Sequence, residues 1–160
     1  MPDSDEPAEP LPDRHHPHRL SPGAYTRPGA VVFISTRARR GVLFLTPHIA
    51  DAITSAMRDT TARHGLILGA YCIMPDHLHV VVTIGESNGD AAGWIQFMKR
   101  EAAKRSGVPA LWQRSFWDRH ARDYEDVGKK VAYVLNNPVR HKLCESWEEW
   151  PYSWSKWRER

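Results

Sequence analysis

The residues with the clearest chemical potential are two histidines separated by a single leucine, His77 and His79. They lie in an apolar, β-branched run that predicts a strand over residues 77–84. Successive strand side chains point to opposite faces of a sheet, so both imidazoles are expected on the same face. Neutral imidazoles side by side could bind one divalent cation. The pattern alone also fits two partly exposed histidines that bind nothing.

A tyrosine and an asparagine four residues apart, Tyr133 and Asn137, form a second candidate set. Their spacing predicts that they share one face of a helix, away from its apolar stripe. Lys129 and Lys130 lie within one turn of the tyrosine, where they would attract a phosphate and favour the phenolate. Tyr133 is therefore a candidate nucleophile, although these residues alone also fit a surface tyrosine on a basic helix.

The elements that would position these residues follow from periodicity and capping signals. The sequence predicts strands at 30–35, 66–73, 77–84 and 112–120, with helices beginning after Thr46, Asp90 and Asp123 and ending at Gly65, Gly107 and Pro138. The second and third strands should form a hairpin through a turn at Pro75 and Asp76. This order predicts an α+β, ferredoxin-like (RRM-like) sandwich, an antiparallel sheet with its helices on one face.

Composition divides the chain of 160 residues into three parts. Residues 1–21 form a Pro/His-rich tail that is too poor in large apolar side chains to fold, so disorder is expected there. Residues 22–143 form the single folded domain. Residues 144–160 form a tryptophan-rich extension that is expected to pack on that domain rather than to contact a ligand.

Charge and hydropathy restrict the setting of the protein. The net charge is +3, and the sequence after residue 28 is more basic than the start, which suits a polyanionic partner. Only two cysteines, Cys72 and Cys144, are present, which excludes a disulfide framework or a four-cysteine zinc site. The sequence has neither a membrane-spanning apolar stretch nor an apolar signal core, so a cytoplasmic protein without membrane contact is expected.

Several motifs in order resemble the single-tyrosine transposases of the His-hydrophobic-His nuclease superfamily, close to the REP-associated tyrosine transposases. They read YCIMPDHLHVVV, WQRSFWDRHARDYED, VAYVLNNPVRHKL and WPYSW, and the resemblance covers roughly residues 22–157. It implies a DNA endonuclease and strand transferase that acts in DNA transposition and recombination.

The resemblance also implies roles for individual residues. His77 and His79 would be metal ligands, and Asn137 would be the third, at a position where many relatives have glutamine. The cofactor would be Mg²⁺ or Mn²⁺, which suits a site with oxygen positions left open. Tyr133 would attack the phosphodiester and become a 5′-phosphotyrosine. Asp76 stands where the family often has asparagine and could add a carboxylate near the metal.

The expected partner is single-stranded or hairpin DNA. Basic side chains interleaved with aromatic ones suit an unpaired strand, because cations meet phosphates and rings stack on bases. The residues predicted to contact DNA are Lys99, Arg100, Arg119, Lys129 and Lys130. Lys99 also matches a basic position that the family often has on the second helix.

Two alternatives stay open at this stage. The chain could be a host-derived DNA-binding protein of the same fold that no longer cuts, which a too-short Asn137 would favour. It could also be a metal-dependent phosphohydrolase for small molecules, which would need neither Tyr133 nor the basic second helix. The sequence does not distinguish a monomer from a homodimer. It also does not show whether the tyrosine acts with the histidines of its own chain or with those of a partner.

Overall fold

The computed structural model describes residues 22–121 and 123–158, and the tail predicted to be disordered, residues 1–21, lies outside them. Five strands form one sheet: β1 (Val31–Ala38), β2 (Leu66–Ile73), β3 (His77–Ile84), β4 (Trp112–His120) and β5 (Ser153–Ser155). Their order is β4–β1–β3–β2–β5, and every neighbouring pair is antiparallel. The predicted α+β, ferredoxin-like sandwich is confirmed, with β5 added as an edge strand that the sequence did not reveal.

Four α-helices accompany the sheet: α1 (Pro47–Thr60), α2 (Ala91–Ser106), α3 (Tyr124–Leu135) and the short α4 (Asn137–Arg140). The three long helices begin at the predicted caps, since the side chains of Thr46, Asp90 and Asp123 each accept a hydrogen bond from a first-turn amide. None of the helices in the described part of the chain has the length and apolar character needed to span a bilayer.

One face of the sheet packs against α1 and α2 to form the larger core. Leu78, Val80 and Val82 alternate toward this face and are fully buried. Trp94 of α2 is also fully buried, and its indole N–H donates to the Thr60 hydroxyl at 2.9 Å. Apolar packing therefore dominates this face, and its indole N–H is hydrogen-bonded.

The opposite face carries α3. Cys72 of β2 and Val81 of β3 pack here against three residues of that helix, Val131, Val134 and Leu135. Residues 69–73 of β2 are buried on both faces of the sheet, so this part of the strand is covered on both sides. The sequence predicted the helices on one face of the sheet, and this is wrong for α3: α1 and α2 share one face, but the apolar stripe of α3 packs on the other. His77 and His79 have the parity of Val81 and so lie on the α3 face.

The tryptophan-rich extension lies against the domain beside β2. The Trp150 indole N–H donates to the carbonyl of Ile73 at 3.0 Å. Trp154 of β5 stacks on Tyr71, with ring centroids 6.2 Å apart. A Cβ atom at Gly69 would lie 2.5 Å from the Trp157 ring, so only glycine leaves room for that indole.

Candidate active site

The two histidines of β3 are held from behind by one polar partner each. His77 Nδ1 lies 2.7 Å from Asp76 Oδ1, and His79 Nδ1 lies 2.6 Å from the Ser35 hydroxyl. The imidazole centroids are 4.8 Å apart. With Nδ1 engaged in both rings, Nε2 is the nitrogen available to coordinate. This arrangement of ligand and supporting partner is common around metal-binding histidines.

Burial keeps both imidazoles in the form that binds metals. It lowers the pKa of His77, although the Asp76 carboxylate opposes the shift. It lowers the pKa of His79 well below the usual value, and the charges of His77, Arg140 and His141 act in the same direction. Both rings are therefore neutral at cellular pH, with ring lone pairs free for a cation.

Asn137 contributes a buried oxygen close to the end of α3. Pro138 has no amide hydrogen to continue the helical ladder, so α3 ends at Leu135 and the chain restarts as α4. At this break Asn137 turns inward and is only 2% exposed. Its Oδ1 atom has no hydrogen-bond partner within the described residues. A buried oxygen without a partner fits a metal ligand, because buried polar atoms are nearly always satisfied.

If His77, His79 and Asn137 met at one cation, they would offer two imidazole nitrogens and one amide oxygen. Those three donors would leave positions open, which water and phosphate oxygen would fill on Mg²⁺ or Mn²⁺. No group of three or more His, Cys, Asp or Glu side chains that could hold a metal occurs in residues 22–121 and 123–158. A site here would therefore depend on the amide of Asn137.

Tyr133 remains accessible on α3, with 38% of its surface exposed. The guanidinium of Arg140 lies over its ring, 3.6 Å from the centroid, and donates through Nη1 to the Tyr133 carbonyl at 2.8 Å. The same cation contributes to the lowered pKa of His79. The ring of the adjacent His141 lies 6.3 Å from that of His77, so the short helix α4 lies near both candidate sets that the sequence left separate.

Lys99 is placed differently from the expected contact with DNA. Its side chain is buried, with 8% of its surface exposed. Its ammonium group donates to the carbonyls of Gln113 and Ser115, at 2.6 and 3.4 Å. A lysine buried in this way ties α2 to β4, so the structure gives it a structural role and does not favour the predicted DNA contact.

The other four predicted DNA-binding residues lie at or near the surface. Arg100 and Arg119 are exposed. Lys129 is exposed and pairs with Glu125 at 3.2 Å. Lys130 is half-buried, lies 3.9 Å from Asp126, and sits over the Phe33 ring at 5.8 Å. All four side chains could reach a polyanion, and the two lysines flank the accessible tyrosine.

Sequence reasoning missed four residues that surround the histidines. Ser35 and Arg37 of β1 lie directly opposite His79 and His77 in the sheet register. Arg140 stacks on Tyr133, and the His141 ring lies 6.3 Å from that of His77. The only sequence signal was the position of Arg140 and His141 just after the NNPV motif, since strand pairing is a long-range property.

No protein-family model matches the chain. Two curated proteins do. A REP-associated tyrosine transposase of Escherichia coli is 27% identical over 132 residues, covering 81% of this chain and 78% of its own length. A Haemophilus influenzae protein, whose name places it provisionally in the same family, is 29% identical over 146 residues, covering 81% of each chain.

Solved structures give the same result. A REP-associated tyrosine transposase bound to a REP hairpin superimposes with a TM-score of 0.67 and 26% identity, covering 81% of this chain and 78% of its own. A Deinococcus radiodurans protein described as a candidate transposase gives a TM-score of 0.51 at 16% identity, with 73% and 97% covered. The second likeness concerns the fold alone.

Proposed function

We propose that this chain, which is similar to the REP-associated tyrosine transposases, cuts and rejoins single-stranded DNA at hairpin ends through a covalent tyrosine intermediate. One observation carries the proposal. Arg140 stacks on Tyr133, and the ring of the next residue, His141, lies 6.3 Å from that of His77, which supports a common site for the phenol and the imidazoles.

In the proposed reaction, His77, His79 and Asn137 would hold Mg²⁺ or Mn²⁺. When bound, that cation polarises the scissile phosphodiester and stabilises negative charge on the departing oxygen. Asp76 and Ser35 keep the two imidazoles oriented through their Nδ1 atoms. All three ligands are neutral, so the charge of the ion is not offset by the protein.

Tyr133 supplies the nucleophile. Its phenol oxygen forms a bond to phosphorus as the bond to the 3′ oxygen breaks, which leaves the DNA attached as a 5′-phosphotyrosine. The phenol proton leaves to solvent, which reaches the exposed side chain, and the released 3′ oxygen takes up a proton. One phosphoester replaces another, so a 3′ hydroxyl can reverse the step on the same or a different strand.

The hairpin-bound relative supports hairpin DNA as the substrate class. Exposed Arg100 and Arg119, with Lys129 and Lys130 beside the tyrosine, would attract its phosphates. The second candidate, a DNA-binding protein of this fold that does not cut, is favoured by Asn137 if its short side chain fails to ligate.

The test is covalent trapping. The full chain is incubated with Mn²⁺ and a 3′-end-labelled pool of DNA hairpins with randomised flanks, then denatured and separated by mass. We expect a labelled adduct that is lost in Tyr133→Phe and in excess chelator. Tyr124→Phe is the matched control, because Tyr124 lies on the same helix with 96% of its surface exposed, and that variant should keep the adduct.

The other outcomes separate the alternatives. Hairpin binding without an adduct supports the non-cleaving protein, and absence of both rejects a DNA function. If an adduct forms, a mixture of Tyr133→Phe with His79→Ala tests the subunit arrangement. Activity restored by mixing shows that the tyrosine of one chain serves the histidines of another.

A further inference from the structure

The described residues contain five buried side-chain polar atoms without a hydrogen-bond partner, and all five belong to the α3 face. They are Nε of Arg37, Nε1 of Trp117, Oδ1 of Asn137, and Nε and Nη2 of Arg140. Arg37 lies opposite His77, and Trp117 lies opposite Ser35, whose hydroxyl holds His79. Native proteins satisfy nearly all buried polar groups, so this concentration indicates a place for a ligand.

Four of these five atoms are N–H donors, and three of the four belong to guanidinium groups. Such a set suits an anion, because guanidinium groups cannot accept a hydrogen bond and keep their charge. The one acceptor, Asn137 Oδ1, is the atom already assigned to the cation. The unpartnered atoms therefore divide into an oxygen for a metal and nitrogens for an oxyanion.

The geometry of Arg140 is specific for a two-pronged contact. Its plane is fixed by stacking on Tyr133, and its Nη1 is committed to the Tyr133 carbonyl. The remaining edge carries Nε and Nη2, whose parallel N–H bonds match two oxygens of one phosphate. This edge is the part of the guanidinium that lacks partners.

Arg37 approaches the same place from β1. It is the register partner of His77 in the sheet, and its charge contributes to lowering the pKa of both Asp76 and His77. Its Nε is buried without a partner, like that of Arg140. The two arginines thus flank the histidines, one from the sheet and one from α4.

We infer that the Nε–Nη2 edge of Arg140, together with Nε of Arg37, binds one phosphodiester of the DNA strand beside the phenol of Tyr133. The inference rests on the proposed function for the identity of the strand. Arg140 then has two tasks, since stacking orients the tyrosine ring and the free edge places the phosphate next to it. Neither task requires a base, so the contact is independent of sequence.

The test observes the guanidinium groups directly. Arginine Nε–H signals of the ¹⁵N-labelled full chain are followed by NMR in excess chelator, while dimethyl phosphate, a phosphodiester without bases, is added. Arg140→Lys and Arg37→Lys assign the two signals by their disappearance. Arg63→Gln is the matched control, because Arg63 is an exposed arginine outside this face.

We expect the Arg140 and Arg37 signals to shift and saturate together. Affinity should fall about 10- to 100-fold in Arg140→Gln, should fall less in Arg140→Lys, and should not change in Arg63→Gln. A parallel titration uses inorganic phosphate. The inference is overturned if dimethyl phosphate moves neither arginine signal, even where inorganic phosphate moves them. The wild-type titration decides this even if a variant fails to fold.

The adduct assay keeps this result separate from the proposed function. A Tyr133-dependent adduct with silent arginine signals overturns the phosphate site and leaves the transposase intact. Shifted signals without any adduct support the phosphate site and count against cleavage. If the arginine signals shift and the adduct also forms, Arg140→Gln should form the adduct at least about 10-fold more slowly, while Tyr133→Phe should still bind dimethyl phosphate.

Discussion

The two faces of the sheet solve different problems. The face under α1 and α2 buries an apolar core, and its buried cation and indole, Lys99 and Trp94, are hydrogen-bonded. The face under α3 carries two buried histidines and every unpartnered buried polar atom of the described residues. Strand β3 contributes to both faces, because Leu78 points to one and His79 to the other.

The contrast shows where stability and function are separated. Unsatisfied buried groups each cost about 1–3 kcal/mol, so a chain that concentrates them on one face must recover that free energy on the other. Substitutions under α1 and α2 should therefore mainly lower the free energy of unfolding. Substitutions under α3 should change stability less and should mainly reduce activity.

The largest expected effect on stability comes from comparing substitutions of two adjacent β3 residues, one on each face of the sheet. Leu78→Ala should lower the free energy of unfolding by about 2–5 kcal/mol, because it leaves a cavity in the larger core. His79→Ala should cost only about 1 kcal/mol, the loss of one hydrogen bond to Ser35, and should abolish the adduct. Urea unfolding measures both. Equal losses would mean that the imidazole is a structural group.

The next largest effect is expected from substituting two neighbouring basic residues of α2, one buried and one exposed. Lys99→Met should cost about 1.5–3 kcal/mol, because a charged donor leaves two carbonyls. Arg100→Met should change stability by no more than about 0.5 kcal/mol and should reduce the salt dependence of DNA binding by about one ion. Thermal unfolding and salt titrations test the pair. A DNA defect in folded Lys99→Met would restore the role predicted from sequence.

A pH series tests the buried imidazoles. Their folded-state pKa values lie below the usual value of about 6.5, so the unfolded chain takes up protons first as the pH falls. The free energy of unfolding should then fall as the pH drops below about 6.5, the pKa of these histidines in the unfolded chain. The fall should be no more than about 1.4 kcal/mol per proton per pH unit. His79→Gln should flatten this loss. A flat wild-type profile between about pH 7.5 and 5 contradicts the assignment.

The smallest expected effect is a gain in stability rather than a loss. Asn137→Leu removes a buried oxygen without a partner, so in chelator it should raise the free energy of unfolding by about 1 kcal/mol. Added Mn²⁺ should stabilise the wild type and leave the variant unchanged, because a ligand has been lost. Destabilisation of Asn137→Leu in chelator would show that the amide serves packing instead.

Local signals were sufficient for most of the fold. The caps Thr46, Asp90 and Asp123 and the periods of the apolar residues predicted the three long helices and the first four strands within a few residues. Strand β5 was missed because three residues between tryptophans have no period to detect. Its pairing with β2 depends on contacts that are distant in sequence.

The candidate site was predictable in part for the same reason. Alternation alone places His77 and His79 on one face, and helical spacing alone keeps Tyr133 off the apolar stripe of α3. Their convergence, the burial of Asn137 and the burial of Lys99 could not be derived in this way. Each depends on which face α3 occupies and on how α2 meets β4.

The sequence by itself therefore determined the elements and the direction of each side chain within its own element, because strand and helix periods are local properties of the backbone. Tertiary structure alone decided that α3 covers the histidine face and that the adjacent residues Arg140 and His141 lie near Tyr133 and His77. The contacts of α3 and α4 with the histidine strand join segments that are distant in the sequence, and burial of apolar surface brings these segments together.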